Sequence, residues 1–204
     1  MPLSMLPVQD AELALDPCWL DAAAAEALRA DLHGSIAWEV HRIRLFGREH
    51  ASPRLSCWIG DPGASYRYSG VRFAPQPWPA ALLPVRERLS HELGVDFNSV
   101  LANCYRDGRD AMGWHSDDER ELGAAPVIAS LSLGATRRFA LKHRQHPERR
   151  LTLELPAGSL LVMSGATQQH YRHALPRTTR PIGERINLTF RSIQSGAGRP
   201  TAPG

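Results

Sequence analysis

The chain of 204 residues has few cysteines: Cys18, Cys57 and Cys104, scattered and odd in number. Their spacing excludes a disulfide framework and a zinc finger, and it fits a reducing compartment. No apolar run approaches ~18 residues, so no transmembrane helix and no membrane partner are expected. The opening stretch, MPLSMLPVQDAEL, has neither the basic start nor the apolar centre of a signal peptide, which predicts a cytoplasmic address. No internal repeat is visible. Neither sign of charge dominates: 24 Lys+Arg stand against 21 Asp+Glu, a formal net charge of +3. With 43% apolar and 22% charged residues, the composition is that of an ordinary globular protein. One domain, acting as a monomer, is the expectation at this length.

The distribution of charge says more than its sum. Arg42, Arg44 and Arg48 cluster, as do Arg137, Arg138, Lys142, His143, Arg144, Arg149 and Arg150. Such clusters are either solvated faces or phosphate-binding surfaces. Between them lies a stretch of opposite character, WHSDDERELG at 114–123. Four acidic residues so close together repel one another unless a cation sits among them. A metal and a cationic substrate are the two candidates.

The segment DAAAAEALRADLHG predicts a short helix, with Asp21 as cap and Gly34 as stop. PAALLPVRERLSHELG predicts a second, with Leu82, Val85, Leu89 and Leu93 at helical spacing, Pro84 in the first turn and Gly94 at the end. After residue 97 the texture changes. NSVLANCY, VIASLSLG, RRFALKH, LTLEL, GSLLVMS and RINLTFRSI read as short strands between turn residues. The fold class predicted is mainly β with flanking helices, a β-sandwich or jelly roll.

His115 and Asp117, two residues apart, share a face if the segment is extended. His173, in QQHYRHALP, follows the strand GSLLVMS, with His170 as a rival in the same stretch. Two imidazoles and a carboxylate on one side of a metal make the facial triad of non-haem iron(II) oxygenases; an isolated H-x-D is also a common surface turn. The last strand adds a second signal. Arg185, Asn187, Thr189 and Arg191 fall on one face, and Ile186, Leu188 and Phe190 on the other. Either the polar face is wet, or it points into a closed sandwich, where buried arginines need an anion such as a dicarboxylic acid.

Over about residues 40–193 the chain resembles the AlkB family of iron(II)- and 2-oxoglutarate-dependent nucleic-acid dealkylases, especially its animal DNA- and RNA-repair members. NCYRDGRDAMGWHSDDERELG, PVIASLSLGATRRFALKH, GSLLVMS with HYRHALP, and RINLTFR carry the resemblance. It implies a double-stranded β-helix with helices packed outside. The expected division is an N-terminal helix at about 10–35, a nucleotide-binding lid with its supporting helix at 36–96, a catalytic core at 97–193 and, from the composition of SGAGRPTAPG, a disordered tail at 194–204. The resemblance makes His115, Asp117 and His173 the ligands of Fe(II). Asn103, Tyr105, Arg185, Asn187 and Arg191 would contact 2-oxoglutarate, which is consumed together with O2.

The implied reaction is removal of N-alkyl groups from N1-methyladenine and N3-methylcytosine in DNA, with RNA as a further partner, releasing succinate, carbon dioxide and formaldehyde. Glu119 would face the cationic base. Trp58, Tyr66 and Tyr68, in CWIGDPGASYRYSG, would grip the flipped nucleotide, and Phe46, in RLFGRE, would wedge into the vacated duplex site. For each of these aromatics an ordinary hairpin or core position is the alternative. Two rival functions stay open: a related oxygenase acting on RNA, tRNA bases or protein, and a non-catalytic nucleic-acid-binding module on the same fold.

Overall fold

The computed structural model describes residues 2–40, 42–45, 48–64, 66–68 and 71–194. In chain order the strands are β1 (Ser4–Leu6), β2 (Glu12–Asp16), β3 (Arg42–Leu45), β4 (Arg48–Ala51), β5 (Leu55–Gly60), β6 (Tyr66–Tyr68), β7 (Val71–Phe73), β8 (Ser99–Tyr105), β9 (Met112–His115), β10 (Ile128–Gly134), β11 (Arg137–His143), β12 (Arg150–Leu155), β13 (Leu160–Ser164), β14 (Tyr171–Leu175) and β15 (Arg185–Arg191). Helices α1 (Ala22–Ser35) and α2 (Leu83–Leu93) join them, and the single turn α3 (Thr167–His170) leads into β14.

Among the described residues, seven strands form a major sheet in the order β1-β2-β13-β10-β15-β8-β5, and four form a minor sheet in the order β12-β11-β14-β9. All pairings within both are antiparallel. Each hairpin β3–β4 and β6–β7 stands as a two-stranded ribbon.

The period-two pattern of β15 decides the layering. Ile186, Leu188 and Phe190 are fully buried in a core shared with Leu28 and Leu32 of α1 and Val85 and Leu89 of α2. Each such side chain contributes about 1.5–3 kcal/mol by leaving water. That burial helps offset the cost of the opposite face, where Arg185, Asn187, Thr189 and Arg191 are also buried, turned toward the minor sheet. A second apolar cluster, with Ile128, Leu161 and Met163 from the major sheet and Phe139, Leu141 and Leu155 from the minor, joins the two sheets beside the polar cavity.

Both expected helices form. The Asp21 carboxylate accepts from the Ala24 N–H at 2.8 Å and caps α1. Gly34 stays inside α1, which ends when Ile36 turns extended. Gly94, at φ +64, closes α2 with the left-handed geometry that glycine tolerates best. The N-terminal region differs from the expectation of a helix from about residue 10. Glu12–Asp16 is a strand that pairs with β13, and only from Ala22 is the chain helical. The 36–96 region likewise contributes β5 to the edge of the major sheet, beside β8. Phe46 and the 195–204 part of the expected tail lie outside the described residues.

Candidate active site

Strand register assembles the site. Arg185 lies opposite Tyr105 and Asn187 opposite Asn103 across β15 and β8. Asn187 lies opposite Ser132, and Thr189 opposite Ser130, across β15 and β10. Directly opposed residues point to the same face, so these polar side chains converge on the inner surface of the major sheet. On the minor sheet His115 of β9 pairs with His173 of β14, and a register shift follows toward Met112 and Leu175. The bulge lets Met112 and His115 both face the cavity, although they are three residues apart.

His115, Asp117 and His173 bring one ligand atom each to within 4.8 Å of one another. The two Nε2 atoms lie 4.0 and 3.9 Å from the oxygens of Asp117. Two ligand bonds of about 2.0–2.2 Å span such gaps, so one ion fits among the three. The donor set of two imidazoles and one carboxylate is the one non-haem iron uses. Protonation states agree with that role. Burial pushes the His173 imidazole down to about 3, helped by His115. Burial likewise lowers His115. For Asp117, burial acts to raise its pKa but is outweighed by Arg191, His173 and His115, so the carboxylate is held below its usual range. Neutral rings around an ionised carboxylate are the form that binds a metal.

The surroundings fix these ligands. The Gly113 carbonyl lies 2.8 Å from His115 Nδ1, where it accepts that proton and leaves Nε2 as the donor to a metal. Arg191 Nη2 donates to Asp117 Oδ1 at 2.6 Å, and the backbone N–H of Asp117 donates to Gln168 Oε1 at 2.9 Å. His170, the rival ligand, stacks on His143 at 5.6 Å and is not part of the cluster.

Arg185 is 1% exposed. Its Nη2 donates to Ser132 Oγ at 2.9 Å and to Asn187 Oδ1 at 2.7 Å, while its Nε has no partner. Among the described residues no carboxylate pairs with it. Burial pulls its pKa down to about 10. A buried guanidinium without a counter-anion is costly, and a bidentate carboxylate is the group that best relieves it. Asn187 Nδ2 donates on to Thr189 Oγ1 at 2.9 Å, which continues the polar ladder of β15 toward Arg191 and the ligand cluster. Arg185 and the three ligands line one cavity, together with Asn103, Tyr105 and Asn187.

One participant is not anticipated by the sequence. Arg54, just before β5 and 6% exposed, donates from Nε to Asn103 Oδ1 at 2.7 Å. This bond fixes the amide so that its NH2 is left for the cavity. A lone arginine ahead of a strand carries no pattern that could have found it. Gln168 is hidden in the same way, inside QQHYRHALP.

The residues expected at the base are more dispersed. Trp58 is 4% exposed, sits in the apolar cluster with Leu122 and Ile128, and donates its indole N–H to the Ala64 carbonyl at 2.9 Å. This buried setting departs from the expectation of an open stacking face, because a fully packed indole has no free ring surface. Tyr66 and Tyr68 are both on β6. Glu119 is half-buried at the start of a 3-10 turn, Arg120–Leu122, two residues past Asp117. Asp118 is exposed and ion-paired with Arg144.

Comparison with known proteins agrees with this donor set. The model of the 2OG-Fe(II) oxygenase superfamily matches residues 12–191. The chain is 44% identical over 167 residues to DNA oxidative demethylase ALKBH2 of Bos taurus, covering 78% of this chain and 60% of that protein. Its identity to alpha-ketoglutarate-dependent dioxygenase alkB homolog 3 of Bos taurus is 36% over 200 residues, 94% of this chain and 69% of that protein. It therefore spans roughly three-fifths to two-thirds of the length of these relatives. The solved structure of OsALKBH1 superposes with a TM-score of 0.60 at 18% identity, over 94% of this chain and all of the other, a likeness of fold. With iron(II) and 2-oxoglutarate implied by that family and matched by the His–Asp–His cluster and the solitary Arg185, the chain belongs to the 2OG-Fe(II) oxygenase superfamily, in its AlkB group.

Proposed function

We propose that the protein is an oxidative demethylase that removes N-alkyl groups from bases of DNA. The observation that carries this reading is the pairing, in one cavity, of a metal-ready triad with a buried arginine that lacks an anion. The names of the relatives, among them a DNA oxidative demethylase, support the choice of substrate. Bound Fe(II) with 2-oxoglutarate supplies the power to hydroxylate an N-methyl carbon with O2, the methyl group leaving as formaldehyde beside succinate and carbon dioxide.

The chain's own residues do the placing. His115, Asp117 and His173 would hold the ion. Arg185, whose guanidinium Ser132 and Asn187 hold in place, would receive the distal carboxylate of 2-oxoglutarate. Asn103, held by Arg54, offers its amide N–H groups to the cosubstrate, and Tyr105 walls the cavity opposite Arg185. Arg191 keeps Asp117 ionised and in place. Phe139, whose ring stacks on His173 at 5.3 Å, helps exclude water from the ligands. Glu119, close along the chain to Asp117, supplies a carboxylate for a positively charged base such as N1-methyladenine, whose attraction grows as water is excluded. Tyr66 and Tyr68 of the β6–β7 ribbon are proposed to grip the flipped nucleotide.

The test is to offer methylated single- and double-stranded DNA and RNA with Fe(II) and 2-oxoglutarate and to read the oligonucleotides by mass spectrometry. The expected result is methyl loss from DNA that needs both cofactors and is matched by succinate. No methyl loss and no succinate with any oligonucleotide would leave a non-catalytic nucleic-acid-binding module instead.

A further inference from the structure

The outer face of the minor sheet carries an arrangement that folding alone does not favour. Arg172 of β14 lies opposite Lys142 of β11, and Lys142 lies opposite Arg150 of β12. Three cations thus stand side by side across three strands, about 5 Å apart, where like charges destabilise a sheet. Among the described residues none of the three forms an ion pair. Arg150 Nε donates to the Pro147 carbonyl, and Lys142 Nζ sits 4.2 Å from the ring centre of Trp114. Glu154, on the same face, is engaged by Arg138.

Trp114 is the second part of the arrangement. It is 44% exposed, one of the large apolar side chains left in water among the described residues. It belongs to the edge strand β9 and directly precedes His115, so the row of cations ends one residue from the metal cluster. Beside the row, Ala140 and Thr152 are opposed on β11 and β12 and leave the sheet surface low. The result is a flat shelf with a half-exposed indole at one end, one face of which Lys142 covers, and a line of cations without carboxylate partners across it.

We propose that this shelf binds single-stranded nucleic acid flanking the base under attack, with a base stacked on Trp114 and phosphates on Lys142, Arg150 and Arg172. The proposal rests on the reading of the site as one that acts on nucleic acid. An unpaired polynucleotide supplies both things the shelf lacks: π-faces for the indole and regularly spaced anions for the cations. An acidic polypeptide would satisfy the charges and leave the indole wet, so the ring separates the two.

The experiment uses the full chain and a fluorescently labelled, unmethylated single strand of about 16 nucleotides, long enough to cover such a groove. Binding is followed by anisotropy over a range of salt concentrations, without iron or 2-oxoglutarate. Each phosphate contact on a single strand contributes about 0.7 to the slope of log K against log salt. Lys142→Gln with Arg150→Gln, on strands that carry no metal ligand, should therefore reduce that slope by about 1.4. Trp114→Ala should weaken binding roughly tenfold with the slope unchanged, and Trp114→Phe should restore most of the loss. Melting curves separate these effects from unfolding.

Unchanged affinity and slope in folded variants would overturn the proposal. So would a slope that falls with the cations while Trp114→Ala binds as well as the wild type, the outcome expected of a surface for acidic protein. Because the strand is unmethylated, failure of the demethylase reading shows only in the methyl-loss assay. Methyl loss with silent shelf variants would sink the shelf alone.

Discussion

Arginines occupy both faces of this protein's sheets, and they mean different things in the two places. On the inner face of β15, Arg185 and Arg191 are almost wholly removed from water. On the outer face of the minor sheet, Arg138 keeps 60% of its side chain exposed and meets Glu154 at 3.0 Å. The inner cations must be matched charge for charge, since an unpaired buried ion costs several kcal/mol. Arg191 is matched by Asp117 within the chain, whereas Arg185 meets no carboxylate among the described residues. The outer cation is screened by solvent, and its pair adds little. Burial, far more than residue type, converts an arginine into a statement about a ligand.

The sharpest way to break this contrast is to remove what the inner face serves. His115→Ala, Asp117→Ala and His173→Ala should each abolish succinate formation and metal retention, while His170→Ala, outside the cluster, should keep most of both. A dead His170→Ala beside an active His173→Ala would reassign the ligand. Next in size, Arg185→Ala should raise the 2-oxoglutarate requirement at least ~100-fold, since breaking one side of a buried pair costs about 3–5 kcal/mol. Lysine should rescue part of that loss, because it keeps the charge without the fork. Titration of 2-oxoglutarate against turnover decides, and an unaltered requirement removes Arg185 from the cosubstrate.

A smaller effect is expected where the inner site meets the substrate. Glu119→Gln keeps the shape and loses the charge. Repair of N1-methyladenine and N3-methylcytosine should fall roughly tenfold, the size of one charge-assisted hydrogen bond, and repair of a neutral etheno adduct should fall less. Equal losses on the two classes would make Glu119 structural. Smallest of all, Arg138→Gln should change unfolding free energy in urea by no more than ~1 kcal/mol, and high salt should erase most of the difference.

The inner face is more legible in the sequence than the edges of the fold. RINLTFR alternates so regularly that its two layers follow from residue type alone, and the family pattern prefers His173 over His170. Asp21 announces α1 because a capping carboxylate acts locally. ELALD is obscure, because five residues between a turn and a helix satisfy either period, and only the long-range partner β13 makes them a strand. Trp58 misleads for a similar reason: an aromatic just ahead of a glycine-rich turn looks available until the Ala64 carbonyl and the Leu122 cluster close over it. Arg54 and Gln168 are silent, since a single polar side chain that orients another leaves no spacing to read.

The position of β15 has a consequence for how the protein is made. It is the last strand in the described chain, yet it lies in the middle of the major sheet, between β10 and β8. Until it leaves the ribosome, both neighbours present open edges ready to pair with other chains. A nascent polypeptide cut short before residue 185 would lack Arg185 and Arg191 as well as the strand that joins the halves of the sheet. Quality control of synthesis and assembly of the proposed cosubstrate site therefore fall on the same seven residues. A chain that cannot complete its sheet cannot acquire its cosubstrate, and incomplete products should be sticky but chemically harmless.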